Sequence, residues 1–280
     1  MPFFDFHIHT KYSLCSRRKG RYSYPDVAKK ILSLGLDGFG TSDHSHYCFE
    51  NNSFLKKQKK QQSKLHLEET GLVGLEITIQ NQKGDLGVHP KYLDLVDYKI
   101  ISEHVHKSLP FSKFHGTKRK VRKWINKDYD FYLPKIKRII NDSTTLKVNA
   151  INRNPRSILA HVFNFPVGLR IVPAILYERL DDVLEAMQTA EVALELHHSH
   201  MYGYNLSNQD ADAWKAAGDS NIREFIRHLF RRAKDYSLHY SLGSDAHRLR
   251  DIFPKQKWQS FLEQVDISES QLITPSFFTD

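Results

Sequence analysis

Short apolar runs alternate with segments of helical periodicity along most of this 280-residue chain, and that alternation limits the fold more than any other feature. β-like runs are expected at Phe3–Ile8, Asp37–Ser42, Leu72–Ile79, Tyr98–Ser102, Ser157–Phe163, Val192–His197 and Leu238–Ser244. Helical periodicity covers Pro25–Leu34, Tyr129–Ile140, Ala174–Met187, Asn221–Tyr236 and Pro254–Val265. Pro25 and Pro254 suit first helical turns, and Gly35 suits a helix stop. Strands joined through crossover helices pair in parallel. Each of the seven runs contains a histidine or an acid or leads directly into one. A closed α/β barrel builds its site from those strand ends, whereas an open doubly wound sheet would gather ligands at a switch point. The expectation is an α/β chain folded as one closed TIM-like barrel, with a single domain over 1–280.

Sixteen histidines supply the chemistry. In Asp5-Phe6-His7-Ile8-His9 the two histidines stand two apart on a strand, so they share a face and can chelate one cation. Asp245-Ala246-His247 repeats that spacing near the other end of the chain. Between them lie Thr41-Ser42-Asp43-His44, Gly74-Leu75-Glu76, Ser102-Glu103-His104 and Ala160-His161. Imidazoles mixed with a few carboxylates suit Zn, Mn or Fe better than Ca or Mg. Eight such donors exceed what one catalytic zinc takes, so more than one ion is implied. Asp43 is expected to hydrogen-bond a ligating imidazole. Glu195 and His197 share one strand face, and they could orient substrate or water, or touch metal. His104 is preferred over His106 as a ligand because Ser102 begins an SxH pattern.

Read in order, DFHIHT, TSDH, GLE, SEH, LAH and LGSDAH resemble the PHP (polymerase and histidinol phosphatase) superfamily. The resemblance runs from Asp5 to His247 and implies a distorted (β/α)7 barrel with two or three divalent ions at the strand ends. It implies one ion on His7, His9, Glu76 and Asp245, and a second on Glu76, His104 and His161. The third would lie on His44, His247 and a donor after the HxH motif, where relatives often carry His or Asp and this chain has Cys15. A thiolate there would favour softer metals and invite oxidation; otherwise Cys15 is a small buried residue and water completes the set.

The implied reaction is attack of metal-activated hydroxide on a phosphate ester, with His7, His9, Glu76, His104 and Asp245 as the catalytic core. Arg17 and Arg18 could clamp phosphate oxygens, with His197 nearby. The charge distribution agrees with an anionic substrate. Lys11–Tyr22, Asn51–His66 and Lys107–Lys127 carry five, five and eight cations and no acids, together +18, so the rest of a chain of net +9 carries −9. A phosphorylated small molecule is the expected substrate. The alternative is a nuclease acting on DNA or RNA, suggested by FSKFHGTKRKVRKW at Phe111–Trp124, where aromatics interleave with cations in a basic insertion at about 107–127. A non-catalytic barrel scaffold is a remote third. The window Ile158–Leu176 holds His161, Asn164, Arg170 and two prolines, so no membrane span is expected. Two cysteines and an N-terminus without a signal pattern point to the cytoplasm.

Overall fold

A computed structural model describes residues 2–13, 22–45, 53–104, 128–162, 173–197 and 220–279. Seven parallel strands close into a barrel in sequence order: β1 (Phe4–Ile8), β2 (Gly38–His44), β3 (Gly71–Thr78), β4 (Tyr98–Ser102), β5 (Ile158–Leu159), β6 (Ala193–His197) and β7 (Tyr240–Gly243). Closure comes from β1 pairing with β7, Asp5 opposite Leu242. The outer layer among the described residues comprises α1 (Tyr24–Ser33), α2 (Ser53–Lys64), α3 (Tyr129–Arg153), α4 (Ala174–Glu178), α5 (Leu180–Thr189), α6 (Ser220–Asp235) and α7 (Lys255–Val265).

Local chemistry explains the clean helix starts. Ser23 and Asp26 form a capping box ahead of α1, with Pro25 in the first turn as expected. Pro254 sits one place earlier than expected, as the N-cap of α7. Three expectations need correction. α3 was expected to stop at Ile140 but continues to Arg153. The helix expected at Ala174–Met187 is two, divided at Arg179. The lysine-rich stretch after Asn51, assigned no element, contains α2, which buries Phe54, Leu55, Gln58 and Gln62.

Two apolar clusters hold the layers together. The larger lies between sheet and helices and includes Ile31, Leu55, Leu75, Ile101, Leu184, Phe230 and Trp258. The smaller contains Phe4, Phe6, Leu72, Tyr98, Ile100, Ile158 and Ala193, with Phe277 and Phe278 packed against it. Leu72 shares a strand face with Glu76, and Ala193 with Glu195, so this second cluster fills the barrel beneath the polar end. Phe6 packs edge-on against Tyr98 and Phe278, at 5.5 Å in each case. The next residue, His7, reaches Glu76 and Glu195 instead. The β1–β2 register shifts between Asp5 and Ile8, an irregularity that lets neighbouring residues serve floor and site. Among the described residues, no helix is long and apolar enough to cross a membrane.

Candidate metal centre

The C-terminal strand ends bring most of the expected residues to one place. Glu76, fully buried on β3, is the centre of the group. Its Oε2 faces His44 Nδ1 at 2.7 Å, His7 Nε2 at 3.4 Å and His9 Nε2 at 3.5 Å. Its Oε1 faces His104 Nε2 at 2.9 Å and His161 Nε2 at 3.1 Å. Asp245 Oδ1 closes the first side, 3.0 Å from His9 Nε2 and 3.6 Å from His7 Nε2. One carboxylate therefore divides five imidazoles into two sets. His44 belongs to a third grouping as well: ligand atoms of His9, His44 and His247 lie within 4.8 Å of one another.

The chemistry of these atoms fits cations. His7 Nε2 and Glu76 Oε2 are buried and make no hydrogen bond. Left that way they would cost stability, and a shared divalent ion would satisfy both. The opposite nitrogens are anchored by groups that fix which atom is presented. His7 Nδ1 meets Glu195 Oε1 at 2.5 Å, and His247 Nδ1 meets the Asp245 carbonyl at 2.7 Å. Both partners only accept, so these Nδ1 atoms carry hydrogen, and in the neutral ring the lone pair is on Nε2. His104 Nδ1 lies 2.9 Å from Ser102 Oγ and 3.2 Å from Thr78 Oγ1.

Asp43 works one step further back than expected. It accepts from Thr10 and Ser13, through backbone and hydroxyl of each, and from Gln58. It touches no imidazole in this set; Ser13 Oγ, 3.1 Å from His9 Nδ1, stands between them. Since Ser13 gives its hydrogen to Asp43, it accepts from His9, and His9 Nε2 is again the bare nitrogen. His197 is buried, with Nε2 3.4 Å from Asp245 Oδ2, which sets it beside a carboxylate of the cluster. Cys15, Arg17, Arg18, His106 and the basic segment at 107–127 lie outside the described residues.

Electrostatics follow from burial among like and unlike charges. Burial pushes His9 down to about 3, helped by His44. Burial also lowers His104. Burial would lower His7 too, but Glu195, Glu76 and Asp245 outweigh it and hold that imidazole well above its usual range. Burial opposes ionisation of Glu76 and Asp245, yet the surrounding histidines hold both well below the carboxylate range. Glu195 falls to about 2, where His7 and His197 overcome its burial. Asp5 goes the other way: burial raises it to about 6 despite hydrogen bonds from Ser244 and His7.

Two residues at the site hold left-handed backbone, His161 at φ 30° and Asp245 at φ 48°. Such angles are uncommon outside glycine and concentrate at functional sites. They end β5 and β7 early, so the strands expected to reach Phe163 and Ser244 stop at Leu159 and Gly243. Glu195 was legible in part, because an acid inside the apolar run VALEL is unusual. The roles of Ser13 and Gln58 carried no sequence signal.

Against known families, the sequence matches the PHP domain over residues 5–199. The chain belongs to the PHP family. Among solved structures, the fold is similar to histidinol phosphate phosphatase from Lactococcus lactis, complexed with zinc, L-histidinol and phosphate. That alignment has a TM-score of 0.57 at 13% identity, covering 95% of this chain and 94% of the other. A probable 2-pyrone-4,6-dicarboxylic acid hydrolase from Acinetobacter baumannii, with citric acid bound, aligns over 97% of each chain with a TM-score of 0.43 and 11% identity. No curated protein matches the sequence. PHP membership and the His/Glu clusters support a metal-dependent hydrolase.

Proposed function

We propose that this PHP protein hydrolyses a phosphomonoester on a small molecule, using two or three divalent ions of Zn, Mn or Fe. The observation that carries the reading is Glu76, whose two oxygens face separate sets of imidazoles in the manner of a bridging ligand. In this reading His7, His9, Glu76 and Asp245 hold one ion, and Glu76, His104 and His161 a second. His44 and His247, with Cys15, hold the third. Bound dications would acidify a water for attack near neutral pH and neutralise the phosphoryl charge.

The chain's own residues set the geometry. Glu195 and Ser13 keep hydrogen on Nδ1 of His7 and His9, so once His7 has lost its second proton both Nε2 lone pairs would be free for metal. His197 steadies the far oxygen of Asp245. Arg17 and Arg18 would hold the phosphate. The structural likeness to a phosphatase crystallised with histidinol and phosphate, end to end on both chains, supports a small substrate. The exposed lysines of α2, Lys56, Lys57, Lys60 and Lys64, favour the second reading, a nuclease.

One assay separates them. The purified protein, reconstituted in turn with Zn, Mn and Fe, is given phosphomonoesters alongside end-labelled DNA and RNA oligonucleotides. Free phosphate with intact oligonucleotides is expected, and His7→Ala or Asp245→Ala should remove at least about 99% of turnover, a loss of about 3 kcal/mol of transition-state stabilisation. Nucleotide laddering would replace the first reading by the second. Turnover of neither substrate class would defeat both.

A further inference from the structure

We infer that Glu195, outside the proposed ligand set, is a positioning residue that locks His7 and His161, ligands of two different ions, into one geometry. The inference rests on the metal-dependent reading above and assigns the part of the chain that makes that site rigid. Both oxygens of the buried carboxylate are engaged. Oε1 lies 2.5 Å from His7 Nδ1, and Oε2 accepts from the His161 backbone N–H at 2.7 Å. The second bond meets a residue in left-handed backbone, where histidine needs support from its surroundings. The neighbouring strand makes room for the carboxylate. A Cβ at Gly243 would stand 2.6 Å from Glu195 Cδ and 2.7 Å from Cγ, and would overlap Oε1.

Only a group that accepts at both ends serves both partners. Glutamine has the same shape but one accepting oxygen. Turned towards His7, it sets its NH2 against the His161 N–H, donor against donor. Turned towards His161, it donates to His7 Nδ1 and moves the imidazole hydrogen to Nε2, where the cation would bind. Either arrangement disturbs one ligand while the packing is kept.

The test compares wild type and Glu195→Gln after chelator treatment, each titrated with Zn²⁺ and Mn²⁺ by calorimetry. Near-UV circular dichroism monitors the fold. Long-range ¹H–¹⁵N spectra, recorded at a pH where the ring is neutral, report the His7 tautomer, with His7→Asn identifying its signals. Metal binding should weaken roughly 10- to 100-fold in the variant with the fold retained, and wild-type His7 should carry hydrogen on Nδ1. Equal affinities in the two proteins would overturn the inference. So would hydrogen on His7 Nε2 in the wild type, a result that needs no folded variant. A wild type that binds no metal would sink the functional reading, while the His7 tautomer would still decide the role of Glu195.

Discussion

Replacing Gly243 by alanine adds one methyl group at a place where the structure predicts a large effect. The backbone there is not left-handed, so alanine suffers no conformational penalty and should gain about 0.4–1 kcal/mol through the unfolded state. The steric effect is opposite in sign and larger. With Cδ and Cγ of Glu195 only 2.6 and 2.7 Å from the new carbon, the side chain must withdraw by roughly 1 Å to reach ordinary contact. That breaks bonds of 2.5 and 2.7 Å to His7 and His161. Overpacking costs about 1–3 kcal/mol, and two buried charge-assisted bonds about 1.5–3 kcal/mol each. The expected destabilisation is on the order of 4–8 kcal/mol, comparable with the whole stability of a typical domain at about 5–15 kcal/mol. Urea unfolding of metal-stripped protein measures it, and a second background makes the attribution specific. In Glu195→Ala the carboxylate is gone and the methyl has space, so adding Gly243→Ala there should cost under about 1 kcal/mol. If Gly243→Ala costs the same in both backgrounds, the methyl is not acting through Glu195 and the argument fails.

Two further outcomes follow from the electrostatics. Asp5 binds its proton more tightly when folded, at about 6 against 3.8, so the folded state holds more protons across that interval and stability declines as pH rises through it. The shift is worth about 3 kcal/mol at about 1.4 kcal/mol per pH unit. For metal-free protein, the stability of Asp5→Asn relative to wild type should therefore climb by about that amount between pH 4 and 7, whereas a constant difference would mean Asp5 does not titrate there. Separately, three carboxylates hold a proton on His7 well above the usual imidazole range, so a cation arriving at Nε2 must displace it. Calorimetry in buffers of different ionisation enthalpy should detect proton release on metal binding at neutral pH and weaker binding as pH falls; a buffer-independent heat would count against His7 as a ligand.

The barrel and the clustering of histidines and acids at the strand ends were legible because each depends on a short-range rule: parallel strands need crossovers, and residues two apart share a strand face. What was hidden depends on partners distant in sequence. The expected helix ends at Ile140, where Asn141-Asp142-Ser143-Thr144-Thr145 begins a run of residues with low helix propensity. α3 continues because Ser143, Lys147, Leu146 and Ile151 have a buried side to face. Lys147 and Ser143, one helical turn apart, both meet Glu103 beside His104, so the helix extension also braces the strand end that presents His104 to Glu76. No local pattern could say that an acid just past the end of β4 waits for a lysine 44 residues later.

The same distinction governs what the acids do. Sequence counts them as donors of one kind, yet the structure separates five into two groups. Glu76 and Asp245 face the Nε2 atoms of His7, His9 and His104, rings whose Nδ1 is already anchored, as the proposed ligand roles require. Asp5, Asp43 and Glu195 direct oxygens at N–H groups of the backbone, at hydroxyls, or at an Nδ1 that carries hydrogen. Their value is that a carboxylate only accepts: it forces each neighbour to be a donor and thereby decides which nitrogen of His7, and through Ser13 of His9, is left bare. A count of acids therefore overstates how many are placed to hold metal. It also hides that the amide isostere, which preserves volume and reverses half of the polarity, is the substitution that tells an orienting acid from one that merely fills space.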